Sequence, residues 1–306
     1  MPLIQELANA TAVPTHRDGD VLRGGLLVAQ RGVLRPVPES LLRRGGKPHI
    51  HAPRPEAVPG GRPRVEGPVL FAGHLFDSYG HFLLESLQRL WACRDLPDIP
   101  ILWSNAVPSR PWQRDLLELL GIRNPIIDLG GLPTDLGRVV LPAEGMQIRS
   151  FLLPEHRRFL GRVEVEVRGG GNVAAKVWMS RSRLPPDRGQ VAEDGVIEAG
   201  LAERGWLVFH PQEHPLRRQI EVFGAARRVA GWSASALHTV LLLRSFGGRL
   251  DVLARGESLN RNFTIIADAM GFDQRAHEPP LRLLGGKGSK RRWSVRPEDV
   301  FAALDG

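Results

Sequence analysis

The chain has 306 residues, of which 42% are hydrophobic, so it can bury the core of one large domain or of two ordinary ones. It has no apolar run of about 18 residues and no basic region followed by an apolar one at its N-terminus, so we expect neither a membrane-spanning helix nor a secretory signal. The net charge of +8 suits anionic partners, and the single cysteine, Cys93, excludes an intrachain disulfide and thiolate zinc clusters.

The first half of the chain predicts strands that alternate with helices. Segment 24–37 is typical of a β-hairpin around QRG, and segment 67–74 is typical of a buried strand. Apolar residues at helical spacing predict a helix over 80–94. The elements predicted after it are a strand at 99–104, a helix at 109–122 with Pro111 near its first turn and Gly121 as its C-cap, and strands in NPIIDLG and GRVVLPA. This order favours a layered α/β domain.

The second half repeats this alternation after a glycine-rich boundary at 167–176, where three consecutive glycines disfavour a helix or strand interior. Strands are predicted in KVWMSR, GWLVFHP, RRVAG and RLDVLA, and helices in EDGVIEAGLAERG, PLRRQIEVFGAA, SALHTVLLLRSFGG and NFTIIADAMGF. This rhythm is typical of βαβ units in a parallel sheet, where ligands bind beyond the carboxyl ends of the strands. We therefore expect two α/β layers joined near residue 170, with the site in a cleft between them.

The loop after RRVAG carries the clearest local signal. Gly231 ends a predicted strand, and Ser233 and Ser235 precede an apolar helix. Backbone N–H groups at a helix start are unpaired and partly positive, so a diphosphate can bind there with His238 as an additional donor. The plainer alternative is an ordinary turn with a serine at the N-cap.

Two further polar positions follow predicted strands. Arg181, next to Ser180, lies at the carboxyl end of KVWMSR, and its planar guanidinium can donate two parallel hydrogen bonds to a phosphate. Glu213 follows GWLVFHP and can accept hydrogen bonds from ribose hydroxyls. Taken singly, each position is better explained by a surface arginine or by an acid that favours a nearby helix start.

The segment SYGHFLLESLQRLW places His81, Glu85 and Arg89 at four-residue intervals. This spacing brings His81 and Glu85 within reach of each other, and a carboxylate beside an imidazole suits a general base. A metal site that also uses His74 and Asp77 is a less specific alternative. On the pattern alone, an amphipathic helix with a solvated polar face is the favoured interpretation.

The motif GWSAS resembles a nucleophile elbow, with Ser233 as the nucleophile of a serine hydrolase. Asp251 or Asp268, followed by His277, completes the required chain order. This interpretation is disfavoured because Ser235 stands where the sharp turn needs a glycine.

A basic cluster, GGKGSKRRW at 285–293, can contact an anionic membrane or nucleic acid, although a solvated linker before a terminal helix is the plainer interpretation. The other arginines are scattered, and no nucleic-acid-binding module is recognisable, so nucleic acid is not an expected partner.

Three blocks in order resemble glycosyltransferase family 61, over roughly residues 70–275. The first is similar to N-Y-x-H-W-L-x-E-x-L-x-R-L, the second to S-R followed by an arginine and N-E, and the third to P-E followed by G-x-H-G-S-A-L-H-N. The matching positions include Tyr79, His81, Glu85, Arg89, Ser180, Arg181, Arg188, Glu193, Glu213, Gly231, Ser235 and His238. The departures are Ser78, Phe82, Ala192, Ser233, Ala234 and Thr239.

The resemblance implies a GT-B-like pair of Rossmann-like α/β domains with an interdomain cleft. The expected domains are an acceptor-side domain over 1–168 with a β-rich N-terminal segment, a nucleotide-sugar-binding domain over 172–285, and a basic linker with a terminal helix over 286–306. The implied reaction is an inverting, metal-independent transfer of a hexosyl or pentosyl group from a nucleotide-sugar donor to a glycan or glycolipid acceptor, without a cofactor.

On this resemblance, His81 or Glu85 is the expected base that deprotonates the acceptor hydroxyl. Arg181, the amides around Ser235, and His238 are expected to stabilise the departing diphosphate. The remaining expected donor-side residues are Ser233 in the phosphate loop, Arg188 for phosphate, Glu193 for structural support and Glu213 for ribose.

The expected setting is bacterial cell-surface or capsular polysaccharide biosynthesis in the cytoplasm, with peripheral contact with the anionic inner face of the membrane. The departures in the phosphate loop motivate one alternative from a different class. It is a degenerate family member that binds nucleotide or glycan without turnover.

Overall fold

The computed structural model describes residues 3–163, 175–256 and 258–306. The chain divides into two compact units, Met1–Leu160 and Gly161–Gly306. The glycine-rich boundary predicted at 167–176 lies almost entirely outside the described residues, as do the domain ends predicted at 168 and 172.

The first unit is built on an eight-stranded mixed sheet. The strands of the unit are β1 (Ile4–Asp18), β2 (Val21–Gln30), β3 (Val33–Pro36), β4 (Arg43–Arg44), β5 (Lys47–Pro48), β6 (Ile50–His51), β7 (Arg64–Gly73), β8 (Ile101–Trp103), β9 (Ile126–Ile127), β10 (Thr134–Pro142), β11 (Met146–Gln147) and β12 (Phe151–Leu152). The main sheet has the order β3-β2-β1-β10-β7-β8-β9, with β6 beside β2. Pairing is antiparallel from β3 to β10 and parallel from β10 to β9.

Strand β1 is the longest element and was not predicted as one strand. It pairs with both β10 and β2, and the register shifts between Val13 and His16. Pro14 lies in this irregular stretch, where a residue without an N–H group is tolerated. The hairpin predicted at 24–37 is confirmed by the antiparallel pair β2 and β3.

The helical elements of the first unit are α1 (Tyr79–His81), a π-helical turn (Phe82–Ser86), 3-10 helices (Pro38–Ser40, Pro55–Ala57 and Leu90–Arg94), α2 (Pro111–Leu119) and α3 (Pro154–Leu160). The prediction of one regular helix over 80–94 is therefore wrong. The N–H of Leu87 donates to the carbonyl oxygen of Phe82, five residues back, at 3.2 Å. Such π turns widen a helix locally and are frequent at functional sites.

The second unit contains a five-stranded parallel sheet and a separate three-stranded sheet. Its strands are β13 (Lys176–Met179), β14 (Gln190–Val191), β15 (Leu207–Phe209), β16 (Arg228–Trp232), β17 (Arg249–Leu253), β18 (Asp273–His277), β19 (Arg282–Gly285) and β20 (Arg292–Ser294). The parallel sheet has the order β15-β13-β16-β17-β18, which confirms the parallel sheet predicted for this half. The smaller sheet has the order β14-β20-β19.

The helical elements of the second unit are α4 (Asp194–Glu203), α5 (Leu216–Ala225), α6 (Asn262–Met270), α7 (Pro297–Asp305) and 3-10 helices (Pro186–Arg188, Pro211–Glu213, Ser235–Leu242 and Gly288–Lys290). Trp178 and Trp232 meet edge-to-face in its core, with their ring centroids 6.1 Å apart. The segment expected as a basic linker contributes β20 to the smaller sheet. None of the helices in the described ranges combines the length and the apolar character that a bilayer crossing requires.

Candidate functional site

In the first unit, the helical segment after β7 carries a hydrogen-bonded imidazole and carboxylate. Nδ1 of His81 lies 2.5 Å from Oε2 of Glu85. Arg44 of β4 donates to both oxygens of the same carboxylate, with Nε 2.7 Å from Oε1 and Nη2 2.8 Å from Oε2. Because an ionised carboxylate only accepts, we assign the shared proton to Nδ1 of His81. Nε2 is then free to accept a proton, and the His81 side chain is 45% exposed.

The polar face of this segment is not the solvated stripe that the pattern favoured. Glu85 is 1% exposed and Arg89 is fully buried. Nη2 of Arg89 donates to the carbonyl oxygen of Glu39 at 2.5 Å and lies 3.9 Å from the carboxylate of Glu144. Residues from outside the segment cover this face, and helical spacing carries no information about them.

Electrostatics keep Glu85 ionised. Burial alone raises the pKa of the Glu85 carboxyl, but the hydrogen bonds from His81 and Arg44 outweigh burial and hold the pKa below its usual value. Burial dominates at two neighbouring imidazoles. Burial lowers the pKa of His74 to about 4 and also lowers the pKa of His49, so both rings are neutral at pH 7.

The metal alternative requires that His74, Asp77, His81 and Glu85 converge. Among the residues that the structure describes, no group of three or more His, Cys, Asp or Glu side chains could hold a metal ion. The carboxylate of Asp77 instead accepts two hydrogen bonds from Arg110, at 2.6 and 2.5 Å.

In the second unit, polar residues gather where neighbouring parallel strands end. Ser180 and Arg181 follow β13, Ser233 follows β16, and Arg255 comes two residues after β17. The carboxyl ends of adjacent parallel strands lie at one edge of a sheet, where ligands of α/β folds bind. We call these four residues the strand-end site.

Arg181 is a buried part of the strand-end site and not the surface arginine that was favoured for it in isolation. It is 7% exposed. Its Nη1 and Nη2 donate to the carbonyl oxygens of Gly189 and Arg188, each at 2.7 Å. Its buried Nε has no hydrogen-bond partner among the described residues. One donor of a nearly enclosed cation is therefore available for an anion.

Arg255 is the site residue that the sequence interpretation missed. Its backbone N–H donates to Oγ of Ser233 at 3.3 Å, and its Nη2 lies 3.4 Å from the carbonyl oxygen of Ser233. Its buried Nε also has no partner in the described ranges. Burial and the nearby charge of Arg181 lower the pKa of Arg255 to about 10, which leaves the group charged at pH 7. Its position just after the predicted strand RLDVLA could have identified it, because Arg181 was singled out for following a predicted strand in the same way.

Two acids of α4 border the strand-end site and were likewise missed. Glu198 accepts hydrogen bonds from the hydroxyls of Ser180 at 2.5 Å and Ser182 at 3.1 Å. Asp194 accepts the indole N–H of Trp232 at 2.8 Å. Burial raises the pKa of Asp194 to about 6, although this hydrogen bond opposes the shift. Among described residues, no carboxylate forms an ion pair with Arg181 or Arg255, although the charge of Asp194 acts on both guanidinium groups.

The loop predicted to bind phosphate has a different local geometry. Ser235 begins a 3-10 helix, the N-cap position is Ala234, and no side chain caps this end. The N–H of Ser233 donates to the carbonyl oxygen of Leu253 at 2.7 Å. The buried ring of His238 lies 4.8 Å from that of Phe263, measured between centroids. The loop thus contributes Ser233 to the strand-end site, while His238 packs beside an aromatic ring of α6.

Arg188 and Glu193 were both expected on the donor side, and the structure gives their side chains other surroundings. The Arg188 side chain is 60% exposed, and only the backbone carbonyl of this residue contacts Arg181. Glu193 accepts the hydroxyl of Ser294 at 2.7 Å and the N–H of Val295 at 3.0 Å. It therefore joins the N-terminal end of α4 to the last residue of β20 and the residue after it.

Glu213 lies in the 3-10 helix after β15 and pairs with Arg183. Nη1 of Arg183 lies 3.0 and 2.9 Å from the two oxygens of Glu213, and both side chains are substantially exposed. Because Arg183 comes three residues after Ser180, this ion pair lies beside the strand-end site.

The hydrolase alternative needs a nucleophile beside a base. Nε2 of His277 lies 2.7 Å from Oδ1 of Asp251, and Oδ2 of Asp251 accepts from Arg228 and Arg249 at 2.7 and 3.0 Å. No hydrogen bond joins Ser233 to His277, both of which lie in the described ranges. The Asp251 network is an ion-pair cluster across three strands rather than part of a triad.

One comparison with known proteins identifies a family for this chain. The family model described as Glycosyltransferase 61 matches residues 79–245, which is more than half of the chain. The match includes His81, Glu85 and Arg181, whereas Arg44 and Arg255 lie outside it. A search of curated proteins gave no match. The chain belongs to the glycosyltransferase 61 family, and its general activity is the transfer of a glycosyl group.

Proposed function

We propose that the protein is an inverting, metal-independent glycosyltransferase. His81 is the base for the acceptor hydroxyl, and Arg181 and Arg255 bind the diphosphate of a nucleotide-sugar donor. The observation that carries the proposal is the 2.5 Å contact between His81 and Glu85, which orients a half-exposed imidazole. The first unit then serves the acceptor and the second the donor, as in GT-B-like enzymes.

The base step follows from the proton assignment on His81. Nδ1–H donates to ionised Glu85, and Nε2 takes the proton of the acceptor hydroxyl. The acceptor oxygen bonds to the anomeric carbon as the bond from that carbon to the phosphate oxygen breaks, which inverts the configuration. Between the two candidate bases, the geometry favours His81, because Glu85 is 1% exposed and already accepts hydrogen bonds from two cationic or polar groups.

Departure of the nucleotide transfers negative charge to the diphosphate. Two fixed guanidinium groups with free Nε donors can stabilise that charge without reorganisation. Arg255 therefore joins Arg181 in the donor-side assignment, and Ser233 orders Arg255 through its hydroxyl and carbonyl oxygens. Because these cations are part of the chain, the proposed step uses no metal.

The test is release of free nucleotide from a panel of nucleotide sugars in the presence of glycan acceptors. We expect release by the wild-type protein and its loss in His81→Gln. His16→Asn is the matched control, since His16 is an exposed histidine of the same unit and its contact is with the backbone at Pro14. Equal release by wild type and His81→Gln would remove His81 from the base role.

The same assay separates the enzyme from the degenerate binding protein. That alternative is motivated by Ser233 and Ala234, which stand where the family pattern has His-Gly. Saturable nucleotide binding without release, for every donor and acceptor, would favour it over transfer.

We place the proposed reaction in bacterial cell-surface or capsular polysaccharide biosynthesis, with peripheral contact with an anionic membrane. The support for membrane contact is the hairpin of β19 and β20, where Leu283 and Leu284 are 50% and 43% exposed. The basic residues Lys287, Lys290 and Arg291 lie between the two strands, and Arg292 begins β20. Exposed apolar residues beside cations suit a bilayer with anionic lipids.

Vesicle flotation tests this contact. We expect the protein to float with vesicles that contain anionic lipid and not with neutral ones, and a Leu283→Ser, Leu284→Ser variant to float less. Leu132→Ser is the control, since Leu132 is 55% exposed in the other unit. Equal flotation of both variants and the wild type would exclude the hairpin as the contact.

A further inference from the structure

Arg44 makes the most extensive contact with the His81–Glu85 pair and has no role in the reaction described above. Its two hydrogen bonds to Glu85, at 2.7 and 2.8 Å, are the bidentate arrangement that binds a carboxylate most strongly. Its Nη2 also lies 3.2 Å from Nδ1 of His81. A permanent cation therefore contacts both members of the pair.

The hairpin that carries Arg44 is fixed in place. Strands β4 and β5 are joined by Gly45 and Gly46, which have positive φ angles of 56° and 79° that favour glycine. The N–H of Gly45 donates to the carbonyl oxygen of Ile148, and the N–H of Gly46 donates to Oε1 of Gln147, each at 2.8 Å. Both glycine turn residues thus anchor the hairpin to the segment around β11.

The other ionisable groups near the pair do not duplicate the charge of Arg44. The charge of Glu85 acts on two further imidazoles, those of His49, between β5 and β6, and His74, just after β7, and both rings are neutral at pH 7. The charge of His51, in β6, also acts on His49. In the described part of the chain, Arg44 is thus the permanent cation that contacts Glu85.

We propose that Arg44 is a positioning residue that holds Glu85 ionised against His81 and lowers the affinity of the His81–Glu85 pair for an additional proton. This inference rests on the proposed base role of His81. Arg44 lies outside the residues that match the family, so this contact is contributed by the N-terminal β-rich part of the chain.

The expected direction follows from the charges. With Arg44 present, protonation of His81 adds a cation beside an ion pair that is already neutral. Without Arg44, the proton is added beside an uncompensated carboxylate and is held more strongly. The base then becomes available only at higher pH.

The test compares the pH profile of kcat/KM for the wild type, Arg44→Gln and Arg44→Lys, with Arg43→Gln as the matched control on the same strand. We expect Arg44→Gln to move the acidic limb upward by about one pH unit, which is a tenfold loss of activity at a fixed pH on that limb. Arg44→Lys keeps the charge and should recover most of the shift, and Arg43→Gln should leave the profile unchanged.

A second measurement separates this inference from the proposed function. NMR titration of the His81 ring, assigned with His81→Gln, reports proton uptake without any substrate. A His81 titration midpoint at higher pH in Arg44→Gln, together with a shifted activity profile, supports both the role of Arg44 and the base role of His81. An upward midpoint with an unshifted profile supports the role of Arg44 and contradicts His81 as the base. An unchanged midpoint overturns the inference.

Loss of Arg44 leaves a buried carboxylate without its cation, and Arg44→Gln can fail to fold for that reason. The double variant Arg44→Gln, Glu85→Gln removes both charges and is compared with Glu85→Gln alone. We expect the His81 midpoint to be higher in the double variant, because only the single variant retains the repulsion from Arg44. Equal midpoints would overturn the inference.

Discussion

Arg181 and Arg255 each cost the folded chain free energy but can favour the binding of an anion. Each is largely enclosed and charged, and each keeps a buried Nε without a partner in the described ranges. An unmet donor on a charged group costs folding free energy, and a bound anion can satisfy it. The strand-end site therefore offers two charged donors that a bound anion can satisfy.

We expect Arg181→Gln and Arg255→Gln each to weaken nucleoside diphosphate binding by about 10- to 100-fold, since a hydrogen bond to a charged group contributes about 1.5–3 kcal/mol. Isothermal titration calorimetry on a diphosphate that the wild type binds measures the change. Arg188→Gln is the control, because the Arg188 side chain is 60% exposed. A larger loss for Arg188→Gln than for Arg255→Gln would assign the diphosphate to the predicted residue instead.

Arg89 illustrates a buried cation with a stabilising role. It is fully buried, and Glu144 at 3.9 Å is its ion-pair partner. We expect Arg89→Met to lower the free energy of unfolding by about 3–5 kcal/mol, because it leaves Glu144 buried without a cation. Urea denaturation measures this change.

The double variant Arg89→Met, Glu144→Gln checks the cause of that loss. It should be more stable than Arg89→Met alone, since no buried charge remains unpaired. A double variant as unstable as the single one would indicate that Arg89 acts through packing and its bond to the Glu39 carbonyl.

At the scale of single residues, the sequence was informative about contacts between residues that are close along the chain. The four-residue spacing correctly predicted that His81 and Glu85 can contact each other. It gave no indication of Arg44, which is 41 residues from Glu85, or of the burial of Arg89. Such contacts depend on which loop covers a helix face, and local periodicity does not encode that.

Among the elements, α4 gives a direct test of packing through its two glycines. A Cβ atom on Gly200 would overlap the ring of Phe301 in α7, and that ring is also covered by the guanidinium of Arg204, 4.1 Å from its centroid. A Cβ atom on Gly195 of the same helix would meet nothing within 4 Å.

We expect Gly200→Ala to lower the free energy of unfolding by about 1–3 kcal/mol, the usual cost of overpacking. Gly195→Ala should raise it by about 0.4–1 kcal/mol, because alanine restricts the unfolded chain. Chemical denaturation of the two variants measures both values. Equal effects would show that α7 moves away from α4 without cost.

The sequence also predicted the kind and order of the elements better than it predicted the type of helix (α, π or 3-10). Alternating apolar runs correctly predicted a parallel sheet in the second half. The segment at 80–94 and the one that begins at Ser235 were predicted as regular helices but contain π-helical and 3-10 turns. Most residues of both segments are buried, so packing on several sides can override the hydrogen-bond pattern that composition favours.

For the molecule as a whole, two buried groups give the two units opposite responses to pH. Burial lowers the pKa of His156, in the first unit, to about 3, and raises that of Asp194, in the second, to about 6. Between pH 3 and 6.5 the unfolded chain binds a proton at His156 that the folded chain does not, so stability falls as pH falls. Between pH 3.8 and 6 the folded chain retains the proton on Asp194, so stability rises as pH falls.

Thermal and urea denaturation at pH 8 and pH 5 tests both signs. His156→Leu should lose about 2 kcal/mol less than the wild type on acidification, because leucine has no proton to bind and each pKa unit corresponds to about 1.4 kcal/mol. Asp194→Asn should be more stable than the wild type by a larger margin at pH 8 than at pH 5, because asparagine removes the buried charge and can still accept the Trp232 N–H. The same margin at both pH values for Asp194→Asn would show that Asp194 is ionised throughout, with its charge balanced by the neighbouring Arg181.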